Sequence, residues 1–221
     1  MSKSTELEQA FQAVTAGDTA ALLALFKKKP NIRNATNAEG ISLLMFALYN
    51  RKKDVADLLV QLGVELDVFS ASAYGALKEI VEILKYGPTL VNAFSPDGWT
   101  PLHLASFFGN ILVVKYLVMS SGDINAVSRN NLKNQPLNAA TVSNHTDIAK
   151  FLITNGADVN FAQHGGVTPV QTAAHNGNEE LVQIFLAHGA DPNAKDEAGE
   201  TAIDKAAKQG YTNVASILRS L

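Results

Sequence analysis

The chain contains no cysteine, which removes disulfide frameworks, thiolate metal sites and thiol nucleophiles together and leaves the redox compartment open. Nor is there a basic excess. Eighteen Lys+Arg stand against 21 Asp+Glu, a formal net charge of −3, whereas nucleic-acid binding rests on a surplus of cations that neutralise phosphates. DNA and RNA are not expected partners. Long apolar runs are missing too: the longest, Ile111 to Met119, is interrupted by Lys115 and is far below the roughly 18–20 residues that span a bilayer. No membrane insertion is expected. The start, Met1-Ser2-Lys3-Ser4-Thr5-Glu6-Leu7-Glu8, places acidic residues where a secretory signal needs an apolar run, so the expectation is a soluble cytoplasmic protein.

What is present points to a folded chain. Hydrophobic residues make up 47% and charged residues 18% of 221 positions, too apolar for disorder and long enough for a substantial core. Laid against itself, the chain repeats. An alanine followed four residues later by glycine or a polar turn residue recurs at Ala13/Gly17, Ala47/Arg51, Ala71/Gly75, Ala105/Gly109, Ala140/Asn144, Ala173/Gly177 and Ala206/Gly210. The intervals are 34, 24, 34, 35, 33 and 33 residues, so a unit of about 33 recurs, once shortened by about ten.

Each clear unit opens with a turn and then a helix start, as in Gly98-Trp99-Thr100-Pro101-Leu102-His103-Leu104-Ala105 and Gly166-Val167-Thr168-Pro169-Val170-Gln171-Thr172-Ala173. Threonine can cap free amides, and proline at the first helical position lacks only a donor that would be unpaired anyway. Gly109, Gly177 and Gly210 then supply the left-handed backbone that ends this short inner helix. A second, outer helix follows with apolar residues at helical spacing, as in Leu181-Val182-Gln183-Ile184-Phe185-Leu186.

Thr100 to Ala105 matches the T-P-L-H-x-A run of the ankyrin repeat, and the chain resembles that family over essentially its whole length. The resemblance implies an all-α solenoid of about seven helix-turn-helix units with short β-hairpin fingers, forming a single domain. The units fall at 1–36 (N-terminal cap), 37–66, a shortened 67–93, 94–127, 128–161, 162–194 and 195–221 (C-terminal cap). Residues 1–36 lack the Thr-Pro signal, as a terminal unit with a polar outer face would. Near residue 67 a β-finger is missing. Either this is a neutral deletion in a tolerant connection, or it is a notch that admits a protruding partner group.

Catalysis requires a nucleophile or acid/base pair with an orienting partner, and the sequence offers no such set; the expectation is no enzyme, no cofactor and no metal. His103 lies in the repeat's own slot, expected to brace neighbouring turns. His145 follows an inter-helix turn, and His188 sits in the last turn of an outer helix, where a cation suits the dipole. His164 and His175 fall at positions that the repeat leaves free. Asp196, Glu197, Glu200 and Asp204 lack Ca-loop spacing and read as a solvated acidic turn. The runs Lys27-Lys28-Lys29 and Arg51-Lys52-Lys53 read as cations complementing helix C-termini, preferred over an anionic docking patch.

The resemblance implies a non-enzymatic interaction module, an adaptor or scaffold that binds a protein or peptide on the concave face of finger tips and inner-helix ends. A regulatory or inhibitory subunit of an enzyme is the alternative, and a small-ligand protein a further one. By register, Tyr49, Tyr74, Trp99, Phe107 and Phe108 are the candidate anchors, because aromatics dominate interaction hot spots. His164, His175 and Asn176 form a candidate polar flank. A monomer is expected, although Ile217, Leu218 and Leu221 leave an apolar end on which another copy could stack.

Overall fold

A computed structural model describes residues 5–220. Residues 1–4, quoted above for the absence of an export signal and counted in the first cap, and Leu221, named for end-to-end stacking, lie outside the described residues.

The described residues form seven antiparallel helix pairs. Inner helices are α1 (Glu6–Ala16), α3 (Leu43–Tyr49), α5 (Val68–Tyr74), α7 (Pro101–Phe107), α9 (Pro136–Val142), α11 (Pro169–His175) and α13 (Ala202–Lys208). Their outer partners are α2 (Thr19–Lys28), α4 (Lys53–Gln61), α6 (Leu77–Tyr86), α8 (Ile111–Met119), α10 (Thr146–Thr154), α12 (Glu179–Ala187) and α14 (Thr212–Arg219). Each inner helix packs on the next, and the outer helices do the same except across the step from α4 to α6, where contact is sparse, so the array is an all-α solenoid. No described helix is long and apolar enough to cross a membrane.

The turn between inner and outer helix is left-handed in every pair: Gly17, Arg51, Gly75, Gly109, Asn144, Gly177 and Gly210 all have positive φ. Alanine is fully buried at positions 71, 105, 140, 173 and 206, where inner helices approach their neighbours. Leu102, Leu117, Leu137, Ile148, Leu152 and Phe185 fill the space between pairs with almost no exposure, each stabilising the fold by about 1.5–3 kcal/mol. One continuous apolar cluster runs from Val68 to Leu218, and a second joins Ala10 to Val64.

The expected β-hairpin fingers are turns rather than strands. Among the described residues the only bridge is Thr36 to Ser42, and each finger is closed by a backbone bond between its arms, such as Ser95 N–H to Trp99 O at 2.9 Å or Gln163 N–H to Val167 O at 3.0 Å, and another across its tip. With so few residues per arm no ladder develops. Successive fingers are instead tied edge to edge, Arg129 N–H to Gly98 O at 2.8 Å, His164 N–H to Leu132 O at 2.9 Å and Glu197 N–H to Gly165 O at 2.9 Å. Asparagines stitch the opposite loops: Asn92, Asn125 and Asn160 each accept from a backbone N–H and donate to a carbonyl about 30 residues on. The sequence carries the same period, with an Asn at 92, 125 and 160.

Between α4 and α5 no finger exists. Leu62 to Asp67 leads directly into Val68, with Asp67 capping the helix.

The acidic turn before α13 is only partly solvated: Glu197 and Asp204 are exposed as expected, whereas Asp196 and Glu200 are not. Asp196 is buried, and the Lys205 Nζ lies 2.6 Å from its carboxylate and 2.9 Å from that of Glu200, which also meets Lys208. The bond from Lys205 and backbone donors hold Asp196 below the usual carboxylate range; Lys208 and Lys205 do the same for Glu200.

Candidate protein-docking face

The inner helices end on one side of the array, and there the aromatics gather. Tyr49 closes α3, Tyr74 closes α5, Phe107 closes α7 and Phe108 follows it. The rings of Tyr49 and Phe108 are 5.6 Å apart, Phe107 meets Phe108 edge-on at 5.1 Å, and Phe107 meets Trp99 at 5.1 Å and 73°. These are the separations that ring quadrupoles favour.

Trp99 is not a surface anchor. It is only 7% exposed, packed with Met45, Ala73 and Leu104 and bordered by Phe69 and Ile41. Its indole supports the aromatic row from behind, in the space next to the absent finger. That space is spanned rather than open. The Tyr49 hydroxyl donates to Asp97, on the finger after the gap, and a Cβ on Gly40 would stand 3.4 Å from Pro96. The two flanking fingers therefore close on each other. Burial first, then Asp97, push the Tyr49 phenol far above its ordinary range, so it remains a donor at any physiological pH.

A groove of about 840 Å³ runs across the ends of α3, α5, α7 and α9. Tyr49, Tyr74, Phe107, Phe108, Ala73 and Val142 make its apolar part, and Val142 is 50% exposed. Arg51, Lys52, Lys53 and Asp57 line one wall, His145 and Asn110 another part. Asp57 is held by Lys53 at 2.8 Å and accepts from the Tyr74 hydroxyl at 3.0 Å; those bonds keep its carboxyl below the usual range. Tyr74 shifts upward, through partial burial and then Asp57.

The expected polar flank does not join this groove. Asn176 donates its amide to Thr141 O at 3.0 Å, an inter-pair brace like Asn110 to Ser72 O and Ala73 O at 2.9 and 2.8 Å. His175 is exposed in the last turn of α11, and His164 is exposed at a finger tip. Val142, Arg51 and Lys53 line the groove as well. The register marks Val142 as an inner-helix end and Arg51 as the turn residue, so position alone points to both.

The basic runs differ. Lys27 and Lys28 occupy the last turn of α2, where cations are favourable. Lys52 and Lys53, however, open α4, at the end of the dipole that disfavours them, which corrects the helix-end account. Lys52 lies instead across Gly17 at the end of α1, within 3.8 Å of a Cβ placed there.

His103 is fully buried. Its Nε2 lies 3.0 Å from Asn134 O and its Nδ1 2.8 Å from the Thr100 hydroxyl. A carbonyl can only accept, so Nε2 carries the proton and Nδ1 accepts from Thr100. Burial lowers its pKa to about 4, against a smaller upward pull from Asn134. His145 Nε2 is 3.1 Å from Phe107 O, and His188 Nδ1 is 2.8 Å from Ile184 O.

Sequence profiles of ankyrin repeats match residues 68–163 (three copies) and 170–219 (many copies). The chain is an ankyrin-repeat protein. Ankyrin repeats are generally non-enzymatic protein-interaction modules. Among similar ankyrin-repeat proteins, one from Fowlpox virus (strain NVSL) is 28% identical over 75% of this chain and 39% of its own length. Ankyrin repeat and SAM domain-containing protein 6 of Rattus norvegicus is 31% identical over 55% of this chain and 15% of its own length. Protein phosphatase 1 regulatory subunit 27 of Mus musculus is 29% identical over 54% of this chain and 76% of its own length. The match spans well under half of the first two relatives.

Proposed function

We propose that this ankyrin-repeat chain is an adaptor or scaffold that holds a protein or peptide in the groove across α3, α5, α7 and α9. The observation that carries the reading is the groove itself: about 840 Å³, with three aromatic helix ends and a half-exposed Val142. Apolar surface concentrated in a concavity marks interaction sites. A photo-crosslinking residue at position 142 should capture a discrete partner. The same residue at Lys78, exposed on outer helix α6, should not; equal capture from both positions would count against the groove.

The likeness to a phosphatase regulatory subunit favours one second reading, a subunit that regulates an enzyme by occupying it. Under that reading the captured partner is an enzyme whose activity changes on release of this chain.

A further inference from the structure

We infer that the occupant of this groove is an extended acidic protein segment that seats an apolar side chain against Tyr74, Phe108 and Val142 and presents carboxylates to Arg51. The inference rests on the interaction-module reading and names the chemistry of the partner.

Charge is the first support. The groove carries three cations, Arg51, Lys52 and Lys53, against one carboxylate, Asp57, in a chain whose formal net charge is −3. Its sign is therefore opposite to that of the molecule. Lys53 is paired with Asp57, and Lys52 lies half-buried beside Gly17 at the end of α1. Arg51 is exposed and in no ion pair among the described residues. A guanidinium beside an apolar floor is suited to bidentate carboxylate recognition.

Backbone conformation is the second. Arg51 has φ +56 at the left-handed turn that five other pairs give to glycine and one to asparagine. A side chain there carries a steric cost that glycine avoids. The Arg51 side chain makes no hydrogen bond or ion pair among the described residues that would offset that cost, which leaves its guanidinium available to a partner.

The test is selection from a phage-displayed random dodecapeptide library on the full chain, followed by binding of the enriched peptides in synthetic form. Enriched sequences should combine two or more Asp/Glu with an aromatic or branched apolar residue. Arg51→Glu should weaken those peptides by about tenfold, ~1.4 kcal/mol. Arg51→Gly should weaken them less while leaving the melting temperature unchanged or raised. Val142→Asp should also weaken them, and Lys78→Glu, on the outer face, should not. Binding should fall as NaCl rises. Enrichment without acidic residues, or acidic peptides indifferent to Arg51→Glu, overturns the inference; if those peptides still respond to Val142→Asp, the groove stands as an interaction site. No enrichment overturns it as well. So does Arg51-dependent sedimentation with phosphatidylserine vesicles in the absence of peptide binding, which would assign the cations to a lipid surface.

Discussion

The third residue of an inner helix can do two jobs, and the side chain present decides how many are done. His103, Asn138 and Gln171 each accept from their helix-opening residue and donate to a carbonyl of the following finger. At Asp204, with no further finger described beyond it, only the accepting role remains. At Met45 neither is possible, and the finger that would receive its donation is the one missing before α5. Because His103 has a folded pKa near 4 against about 6.5 when unfolded, the unfolded chain binds the extra proton. Stability is therefore complete above pH 6.5 and falls as the pH drops toward 4, by on the order of 3 kcal/mol. Urea midpoints at pH 7 and pH 4.5 should show this loss, and His103→Gln, which copies the bonding of Gln171, should flatten it. The carboxylates Asp196, Glu200 and Asp204, whose values are lowered, lose their contribution only at lower pH. A second residue-scale expectation concerns Ser106, whose hydroxyl is buried without a partner among the described residues. Ser106→Ala should stabilise the fold by about 1 kcal/mol, read as a higher denaturation midpoint.

At the scale of elements, the Tyr49 to Asp97 bond does what a finger would otherwise do. It links α3 to the finger before α7 across 48 residues. Tyr49→Phe keeps the ring against Phe108 but removes the donor, and should cost about 1.5–3 kcal/mol, as bonds to charged groups do; thermal unfolding with and without the substitution measures it. The helices, their left-handed turns and the shortened interval were legible, because glycine, proline and apolar spacing act locally. The fate of the gap was not. Tyr49, Asp97, Gly40 and Pro96 share no local pattern, and only closure of the flanking fingers brings them together. The same holds for Trp99: register places it on a finger, but its burial depends on Met45 and Ala73 from two other helices. Thr168 resembles Thr100 in sequence, yet its hydroxyl is buried with no partner among the described residues, whereas that of Thr100 meets His103 Nδ1. The place of Lys53 at the start of α4 is illegible for a different reason. Three consecutive cations do not reveal where one helix stops and the next begins.

The whole molecule is two apolar blocks rather than one. The cluster of α1 to α4 ends at Val64 and the next begins at Val68, with Leu66 touching both. The ankyrin profile likewise begins at residue 68. Between the blocks lies the small aromatic cluster of Met45, Ala73, Trp99 and Leu104. In solenoids stability is the sum of units and their interfaces, so the thinnest interface should open first. Native-state hydrogen exchange should show amides of α1 to α4 opening at a lower free energy than those of α7 to α12; uniform protection would argue for a single cooperative block.

Trp99, the chain's single indole, is seated on that boundary with 7% of its surface exposed. Its ultraviolet emission will shift to longer wavelength as soon as the blocks part and water enters, while ellipticity from both helical halves persists. The protein thus contains an intrinsic optical gauge for one particular seam, and any occupant that clamps the neighbouring groove should hold that emission blue.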